Sequence, residues 1–160
     1  MGFFYWDSSV VVKRYLDESG SAWVRMLAAN PENTFLTTEM SIVEASAAIA
    51  IAIRVGRLTK RQGQNAYRDF ANDVSTDVYQ LLAVTRPLID RAALLPQIHP
   101  LKGYDAVHLA TGLEAARNLA DQGIRLVFVS GDDQMLRAAE AEGLTTDNPF
   151  LHVDMDGGEP

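Results

Sequence analysis

The fold of this chain is decided by its opening stretch, Phe3 to Tyr15, which is FFYWDSSVVVKRY. Four consecutive aromatic residues without a turn former favour a short buried strand, because large aromatic side chains suit a pleated, buried surface. The Asp7-Ser8-Ser9 that follows is suited to end a strand and to cap a helix. Asp7 is therefore expected at the carboxyl end of a core strand, where ligands bind in open parallel sheets. It could equally serve only as an N-cap, so this stretch alone leaves both roles open.

Strands and helices alternate along the rest of the chain. Further strands are predicted at 34–36, 78–84 and 125–129, and helices at 8–17, 21–29, 40–54, 59–72, 86–95, 104–120 and 132–142. Such alternation implies βαβ units and a central parallel sheet with helices on both faces, a three-layer α/β/α sandwich. We expect one domain over residues 1–150 and a loose acidic tail over residues 151–160.

Composition excludes several classes of protein. A chain of 160 residues with 48% hydrophobic content fits one domain with a sizeable core. The absence of cysteine excludes disulfides, thiolate metal sites and a cysteine nucleophile, and it agrees with a reducing, cytoplasmic location. The longest apolar run, 42–53, is too short to cross a bilayer of about 30 Å, so we expect no membrane partner. The net charge of −7 argues against strong non-specific binding to nucleic acid, so such a partner must be met through a local patch or a metal.

Three more acidic residues occupy positions where a carboxylate has no obvious structural duty. Glu44 and Asp105 each lie on an apolar stripe of a predicted helix, where burial of an unpaired carboxylate would be costly. Asp132 follows a continuous apolar strand, again at the carboxyl end of that strand. Structural alternatives exist, since Ser41 and Glu44 have the spacing of a capping box and Asp105 could flank a first helical turn.

Taken together, the four carboxylates predict a metal site. Carboxylates that converge on one crevice raise one another's pKa unless cations are shared among them. Oxygen ligands select hard divalent cations, so the predicted cofactor is Mg²⁺ or Mn²⁺. Such an ion can hold a phosphate oxygen, activate water and offset charge on a departing oxygen. The acidic net charge then no longer argues against a nucleic-acid substrate.

Four segments of the chain resemble the PIN domain family, and more narrowly the VapC-type toxins of prokaryotic toxin–antitoxin pairs. These segments are FYWDSSVVVKRY near the start, TTEMSIVEASAAI at 37–49, KGYDAVHLATG at 102–112 and FVSGDDQMLRAAEAEGL at 128–144. Their order and spacing match the family over residues 3–149. The resemblance implies that the acidic quartet of a metal-dependent ribonuclease is Asp7, Glu44, Asp105 and Asp132. Small hydroxyl positions beside that quartet fall on Ser8 and Ser130.

The resemblance also implies endonucleolytic cleavage of RNA, homodimers and a cognate antitoxin encoded alongside. We expect hydrolysis by in-line attack of a water activated by the metal, without a protein nucleophile. The apolar helix at 40–54 favours a two-fold dimer and a groove for an apolar antitoxin segment. The alternative function is a non-catalytic PIN-fold module that binds RNA or protein. A Mg²⁺-dependent phosphatase is a third candidate, but such enzymes usually carry a second Asp where this chain has Ser9.

The fourth acid is ambiguous by one position, because Asp132 is followed by Asp133 where the family often has a basic or polar residue. In a helix that begins at Asp132, this residue shares the apolar side with Met135 and Leu136, whereas Asp133 is turned to the flank. Asp132 is therefore the predicted ligand.

Histidine and basic residues have simpler explanations. His108 is one turn beyond Asp105, and we expect a packing or surface role in preference to contact with phosphate. A basic cluster is expected to be a solvated helix face, with an RNA-backbone patch as the alternative; it consists of Arg54, Arg57, Lys60, Arg61 and Arg68. Lys13, Arg14 and Lys102 are expected to be better placed for a phosphate.

Overall fold

The computed structural model describes residues 1–155, and these form a parallel sheet between two layers of helices. The five strands are β1 Phe3–Trp6, β2 Thr34–Thr38, β3 Tyr79–Leu82, β4 Leu126–Val129 and β5 Thr145–Asp147. Their order in the sheet is β3-β2-β1-β4-β5, and every neighbouring pair is parallel. The predicted α/β sandwich is confirmed.

Seven α-helices connect the strands within the described residues. They are α1 Ser8–Tyr15, α2 Ser21–Ala29, α3 Met40–Arg54, α4 Lys60–Ser75, α5 Arg86–Ala92, α6 Gly103–Ala120 and α7 Asp133–Ala141. Short 3₁₀ segments lie at Leu95–Gln97 and Pro149–Met155. No helix in residues 1–155 is long and apolar enough to cross a membrane.

The central strand β1 divides the core in two, because successive side chains of a strand point to opposite faces. Tyr5 is fully buried in a cluster that includes Leu109 of α6 and Met135 of α7. Trp6 is fully buried in the other cluster, which contains residues of α1, α2, α3 and α4. The aromatic run that predicted a buried strand thus supplies both cores, and Asp7 emerges directly at its carboxyl end.

Two parts of the chain differ from the prediction. Strand β5 was not predicted, and it pairs with β4 at the sheet edge. The tail expected to be loose from residue 151 is wrong for residues 151–155, because the 3₁₀ segment Pro149–Met155 packs on α2. In that contact the ring of His152 stacks on Trp23 with centroids 4.3 Å apart. Residues 156–160 of the predicted tail lie outside the described residues, and the division into domain and tail stays a prediction.

Gly112 allows α6 to lie close against the sheet. A Cβ atom there would approach Cδ2 of Phe128, on β4, to 2.6 Å. Helix propensity alone favours Ala over Gly by about 1 kcal/mol, but overpacking a core costs roughly 1–3 kcal/mol. We expect Gly112→Ala to lower the free energy of unfolding, as measured by urea denaturation. Gly103→Ala in the same helix is the control and should be neutral or stabilising, since no atom lies within 4 Å of its added Cβ; equal stability of both variants would contradict this packing.

Candidate active site

Three of the four predicted acids line one cleft at the carboxyl ends of β1 and β4. Asp7 follows β1, Asp132 follows β4, and Asp105 lies in the first turn of α6. The cleft has a volume of about 260 Å³. Its walls also contain Ser8, Ser9, Lys13, Gly131 and Phe150. The parallel topology therefore brings Asp7 and Asp132 to the same edge of the sheet, as expected from their positions after β1 and β4, and the start of α6 adds Asp105.

Asp7 is buried and fully engaged in hydrogen bonds. Its Oδ1 accepts from the backbone N–H of Val10 at 3.0 Å, which caps α1, and from the Ser9 hydroxyl at 2.7 Å. Its Oδ2 accepts from the hydroxyl of Ser130, a residue with no exposed surface. Both roles left open by the sequence are thus present: Asp7 is the N-cap of α1, and it also lines the cleft.

Two serine hydroxyls connect Asp7 to the loop after β4. Ser130 Oγ accepts from the backbone N–H of Asp132 at 3.0 Å, and Ser9 Oγ accepts from that of Gly131 at 3.3 Å. The two acids are therefore held in a fixed relation by one intervening side chain, Ser130. Ser9 was not singled out as a supporting residue from the sequence, although its position two residues after Asp7 is typical of a hydroxyl that bonds a capping carboxylate.

Asp132 lies at the cleft for a reason that differs from the predicted one. Helix α7 begins at Asp133, and Asp132 is its N-cap, with Oδ1 accepting from the backbone N–H groups of Gln134 at 2.7 Å and Met135 at 3.2 Å. The rotation argument, which placed Asp132 inside the helix, is wrong. Asp133 instead accepts from Asn148 Nδ2 at 3.1 Å and is absent from the residues that line the cleft.

Asp105 carries the clearest electrostatic signature of the site. Burial raises the pKa of its carboxyl, and the nearby charges of Asp132 and Asp7 raise this pKa further. A hydrogen bond from the backbone N–H of Lys102 at 3.3 Å acts in the opposite direction. Asp105 therefore does accept a hydrogen bond at the start of α6, as considered from the sequence. The three carboxylates are also close enough to repel one another, and a bound cation would relieve that repulsion.

Glu44 is not among the residues that line this cleft. Its Oε2 lies 2.7 Å from Nε2 of His108, whose Nδ1 lies 3.0 Å from the Tyr5 hydroxyl. The capping box considered for Glu44 is not formed, since α3 is capped at Glu39 and the Ser41 hydroxyl lies 2.6 Å from that of Thr37. His108 is buried, as expected for a packing residue.

The link from His108 to Glu44 was missed at the sequence level because the two residues are 64 positions apart. Burial raises the pKa of Tyr5 well above its ordinary value, and the charges of Asp7 and Glu44 raise this pKa further. Glu44 and Asp7 therefore both lie within electrostatic reach of one buried phenol. Glu44 is thus connected through His108 to the buried Tyr5 hydroxyl and does not line the cleft.

Of the cations proposed to meet a phosphate, Lys13 is the one that lines the cleft. It is buried, and its Nζ lies 3.3 Å from Oε2 of Glu18. Arg14 is turned away, with its Nε 2.8 Å from Oδ2 of Asp73 on α4. Lys102 contributes a backbone N–H to Asp105.

The basic cluster between α3 and α4 behaves as a largely solvated surface. Arg57 pairs with Glu18 at 2.7 Å and Arg68 pairs with Asp69 at 3.3 Å. All five of its residues are exposed, and none of them lines the cleft of acids. These contacts agree with the expectation that the basic cluster is a solvated helix face.

The polar groups of the cleft fit a hard divalent cation, since most of them are carboxylate and hydroxyl oxygens. The sequence contains no cysteine that could supply a thiolate ligand. Over residues 1–155, however, no three acidic or histidine side chains converge closely enough to enclose one ion. Asp7 already accepts with both oxygens, whereas Asp132 uses only Oδ1 in the hydrogen bonds just described. The site therefore has the right ligands but would need side-chain adjustment to chelate.

Comparison with known proteins gives consistent matches. The model of the PIN domain matches residues 4–141. Ribonuclease VapC45 of Mycobacterium tuberculosis (strain CDC 1551 / Oshkosh) is 31% identical over 144 residues, which cover 89% of this chain and 93% of that protein. The structure of M. tuberculosis VapC20, a Sarcin-Ricin loop cleaving toxin, is 17% identical with a TM-score of 0.58 and covers 89% of this chain and 96% of that one. A toxin-antitoxin complex from Klebsiella pneumoniae is 13% identical with a TM-score of 0.52, over 93% and 98% of the two chains.

Proposed function

Since the chain belongs to the PIN domain family, we propose that it is an endoribonuclease that hydrolyses RNA with Mg²⁺ or Mn²⁺. The observation that carries this proposal is the cleft shared by Asp7, Asp105 and Asp132. Burial and, after it, the charges of Asp132 and Asp7 raise the pKa of Asp105, and a cation between the three carboxylates would relieve the repulsion. The relative's name, Ribonuclease VapC45, supports RNA as the substrate.

We propose that the cation is held by Asp7, Asp105 and Asp132, and that Glu44 completes the acidic set. When bound, the metal supplies a Lewis acid that activates water and offsets charge on the departing oxygen. Asp7 is fixed by two hydroxyl groups and α1, so it acts as the rigid member of the set. Glu44 is fixed by His108 through Oε2, and 23% of its side chain is exposed, so its carboxylate remains open to an ordered water.

The attacking group in this proposal is water and not a side chain. The hydroxyls of Ser9 and Ser130 both donate to Asp7 and accept from backbone N–H groups of the loop after β4. They therefore serve to hold carboxylates in position. Lys13 is the basic residue of the cleft wall, and its Nζ, which lies 3.3 Å from Oε2 of Glu18, would have to exchange that partner to meet a phosphate oxygen.

We also propose that the protein is the toxin of a type II toxin–antitoxin pair and that it forms a homodimer. The similarity of its fold to a toxin-antitoxin complex supports an antitoxin partner. An apolar groove of about 330 Å³ between α3 and α4 is lined by Ile49, Ile53 and Tyr67. On α3, Val43 and Ile51 are 67% and 49% exposed, which supports burial of this helix in an assembly.

The proposed activity is tested by incubating the purified protein with structured RNA. We expect cleavage with Mg²⁺ or Mn²⁺ and no cleavage after EDTA, because without a cation the three carboxylates of the cleft would repel an anionic phosphodiester. Internal cuts are expected, and they are seen as discrete fragments on a denaturing gel. Cleavage that survives chelation would refute the mechanism. Metal-independent binding of RNA with no cleavage under either condition would favour the alternative of a non-catalytic binding module.

A further inference from the structure

The C-terminal 3₁₀ segment forms one wall of the acidic cleft through Phe150. This aromatic ring is 44% exposed, yet it lines the same cleft as Asp7 and Asp105. A Cβ atom at Gly131 would lie 3.1 Å from Cε2 of Phe150, so the ring lies against the loop that carries Asp132. Phe150 also lies beyond residue 141, where the match to the PIN domain ends. These contacts leave nearly half of the ring's residue exposed beside charged groups, where an aromatic side chain can serve a ligand.

The segment holds the ring in a defined place. Pro149 packs on Gly20, where the positive φ of 84° and the absence of a Cβ permit contact: an added Cβ would lie 2.7 Å from the Pro149 carbonyl oxygen. The backbone N–H of Phe150 donates to Oδ1 of Asn148 at 2.9 Å. Two residues later, His152 stacks on Trp23. The ring is thus anchored on both sides along the chain and offers a fixed flat surface.

A positive charge lies beside this surface. Nζ of Lys13 is 4.5 Å from the centroid of the Phe150 ring, within the range of a cation–π contact. The same Nζ lies 3.3 Å from Oε2 of Glu18, and 44% of Phe150 stays exposed despite the contact with Lys13. An aromatic ring, an ammonium group and a cluster of carboxylates therefore line one depression, a combination that suits a nucleotide whose base meets the ring and whose phosphate lies near the carboxylates through a cation.

We infer that Phe150 is a stacking platform for an unpaired base of the RNA substrate, adjacent to the phosphate that is cleaved. The inference rests on the proposed function and specifies its substrate as single-stranded at this position, because a base within a duplex has no free face. Every base has a π-face, so the platform adds affinity without strong sequence preference. Because Nζ of Lys13 lies over one face of the ring, the base would stack on the opposite face.

The test measures binding of a fluorescent single-stranded RNA oligonucleotide by anisotropy with Ca²⁺ in place of Mg²⁺ or Mn²⁺, so that a divalent cation can still occupy the oxygen ligands of the cleft, and a denaturing gel of the same sample checks that the RNA stays intact. We expect Phe150→Ala and Phe150→Leu to raise Kd about tenfold or more. Phe150→Trp should bind as well as the wild type and show fluorescence quenching on addition of RNA. Leu151→Ala is the matched control, since Leu151 is 76% exposed, adjacent in sequence and not part of the cleft wall, and it should bind like the wild type.

An abasic oligonucleotide of the same length provides a second readout. It should bind the wild type and Phe150→Leu equally, because it offers phosphates without bases. Equal Kd values of wild type, Phe150→Ala and Phe150→Leu for the normal oligonucleotide would overturn the inference, and melting curves of each variant establish that it is folded. A wild type that cleaves RNA with Mg²⁺ while these Kd values are equal overturns the stacking role alone. A wild type that neither binds nor cleaves RNA overturns the proposed function as well.

Discussion

Replacing Asp105 by Asn is expected to slow RNA cleavage at least roughly 100-fold, or about 2.7 kcal/mol in barrier, while the protein stays folded. Asp105 is the cleft carboxylate with the fewest structural duties, since its one described hydrogen bond is from the backbone N–H of Lys102. An Asn side chain keeps an oxygen for that bond but loses the charge that would hold a cation. Initial rates on one RNA substrate, measured at saturating Mn²⁺, check the prediction.

The stability of this variant has a predictable sign. Burial and the charges of Asp132 and Asp7 raise the pKa of Asp105. A raised carboxyl pKa means that the folded protein binds the proton more tightly than the unfolded chain, so the carboxylate destabilises the fold above that pKa. We expect Asp105→Asn to melt at or above the wild-type temperature at neutral pH. The difference should shrink as the pH falls through the pKa of Asp105.

A control at the opposite end of α6 separates this effect from a general effect of charge. Asp121 is exposed at the carboxyl terminus of the helix and is remote from the cleft walls. Asp121→Asn removes the same unit of charge and should leave the cleavage rate at the wild-type value. Loss of folding in Asp105→Asn, with Asp121→Asn folded, would show that Asp105 is chiefly a structural residue.

The second large effect is expected at Asp132, and Asp133 is its internal control. Asp132→Asn retains an Oδ1 that can accept from Gln134 and Met135, and Asn is as good an N-cap as Asp, so α7 should remain intact. Loss of the charge should lower both Mn²⁺ affinity and cleavage at least roughly tenfold, or about 1.4 kcal/mol. Calorimetric titration with Mn²⁺ and initial rates measure the two quantities.

Asp133→Asn should leave cleavage near the wild-type rate. Its carboxylate contacts Asn148 outside the cleft, and it contributes to α7 mainly through the helix dipole, worth a few tenths to about 1 kcal/mol of stability. The opposite order of the two variants, with Asp133→Asn inactive and Asp132→Asn active, would make Asp133 the metal ligand.

The sequence predicted the arrangement of the core well and the arrangement of the site only in part. The alternation of apolar strands and helices predicted the sandwich. The hydrophobic periodicity of each segment reflects which of its faces is buried, and a helix between two strands implies a parallel crossover. Strand β5 escaped because Thr145–Asp147 is three residues long and polar, so its pairing with β4 decides its structure. The positions of Asp7 and Asp132 after strands predicted that they share one cleft, whereas Glu44, predicted at the same site, bonds His108 and does not line that cleft.

The sequence did not predict contacts between residues that are far apart in the chain. Asp132 was placed by counting helix positions, but the helix begins one residue later and the cap geometry now explains its orientation. The bond between His108 and Glu44 joins α6 to α3 across 64 positions of the chain, so local sequence patterns do not indicate it. Phe150 was assigned to the end of the domain with no function, because composition does not indicate that the next residues fold back onto α2.

The most direct test of the central claim is one titration in which Mn²⁺ occupancy and RNA cleavage are followed together. Electron paramagnetic resonance of free Mn²⁺ gives the occupancy, and a labelled RNA gives the rate. We predict that the wild type binds Mn²⁺ in the concentration range in which cleavage appears, and that Asp105→Asn loses both. Mn²⁺ binding that is equal in the two proteins, or wild-type cleavage that is unchanged in EDTA, would contradict a metal held by the carboxylates of this cleft.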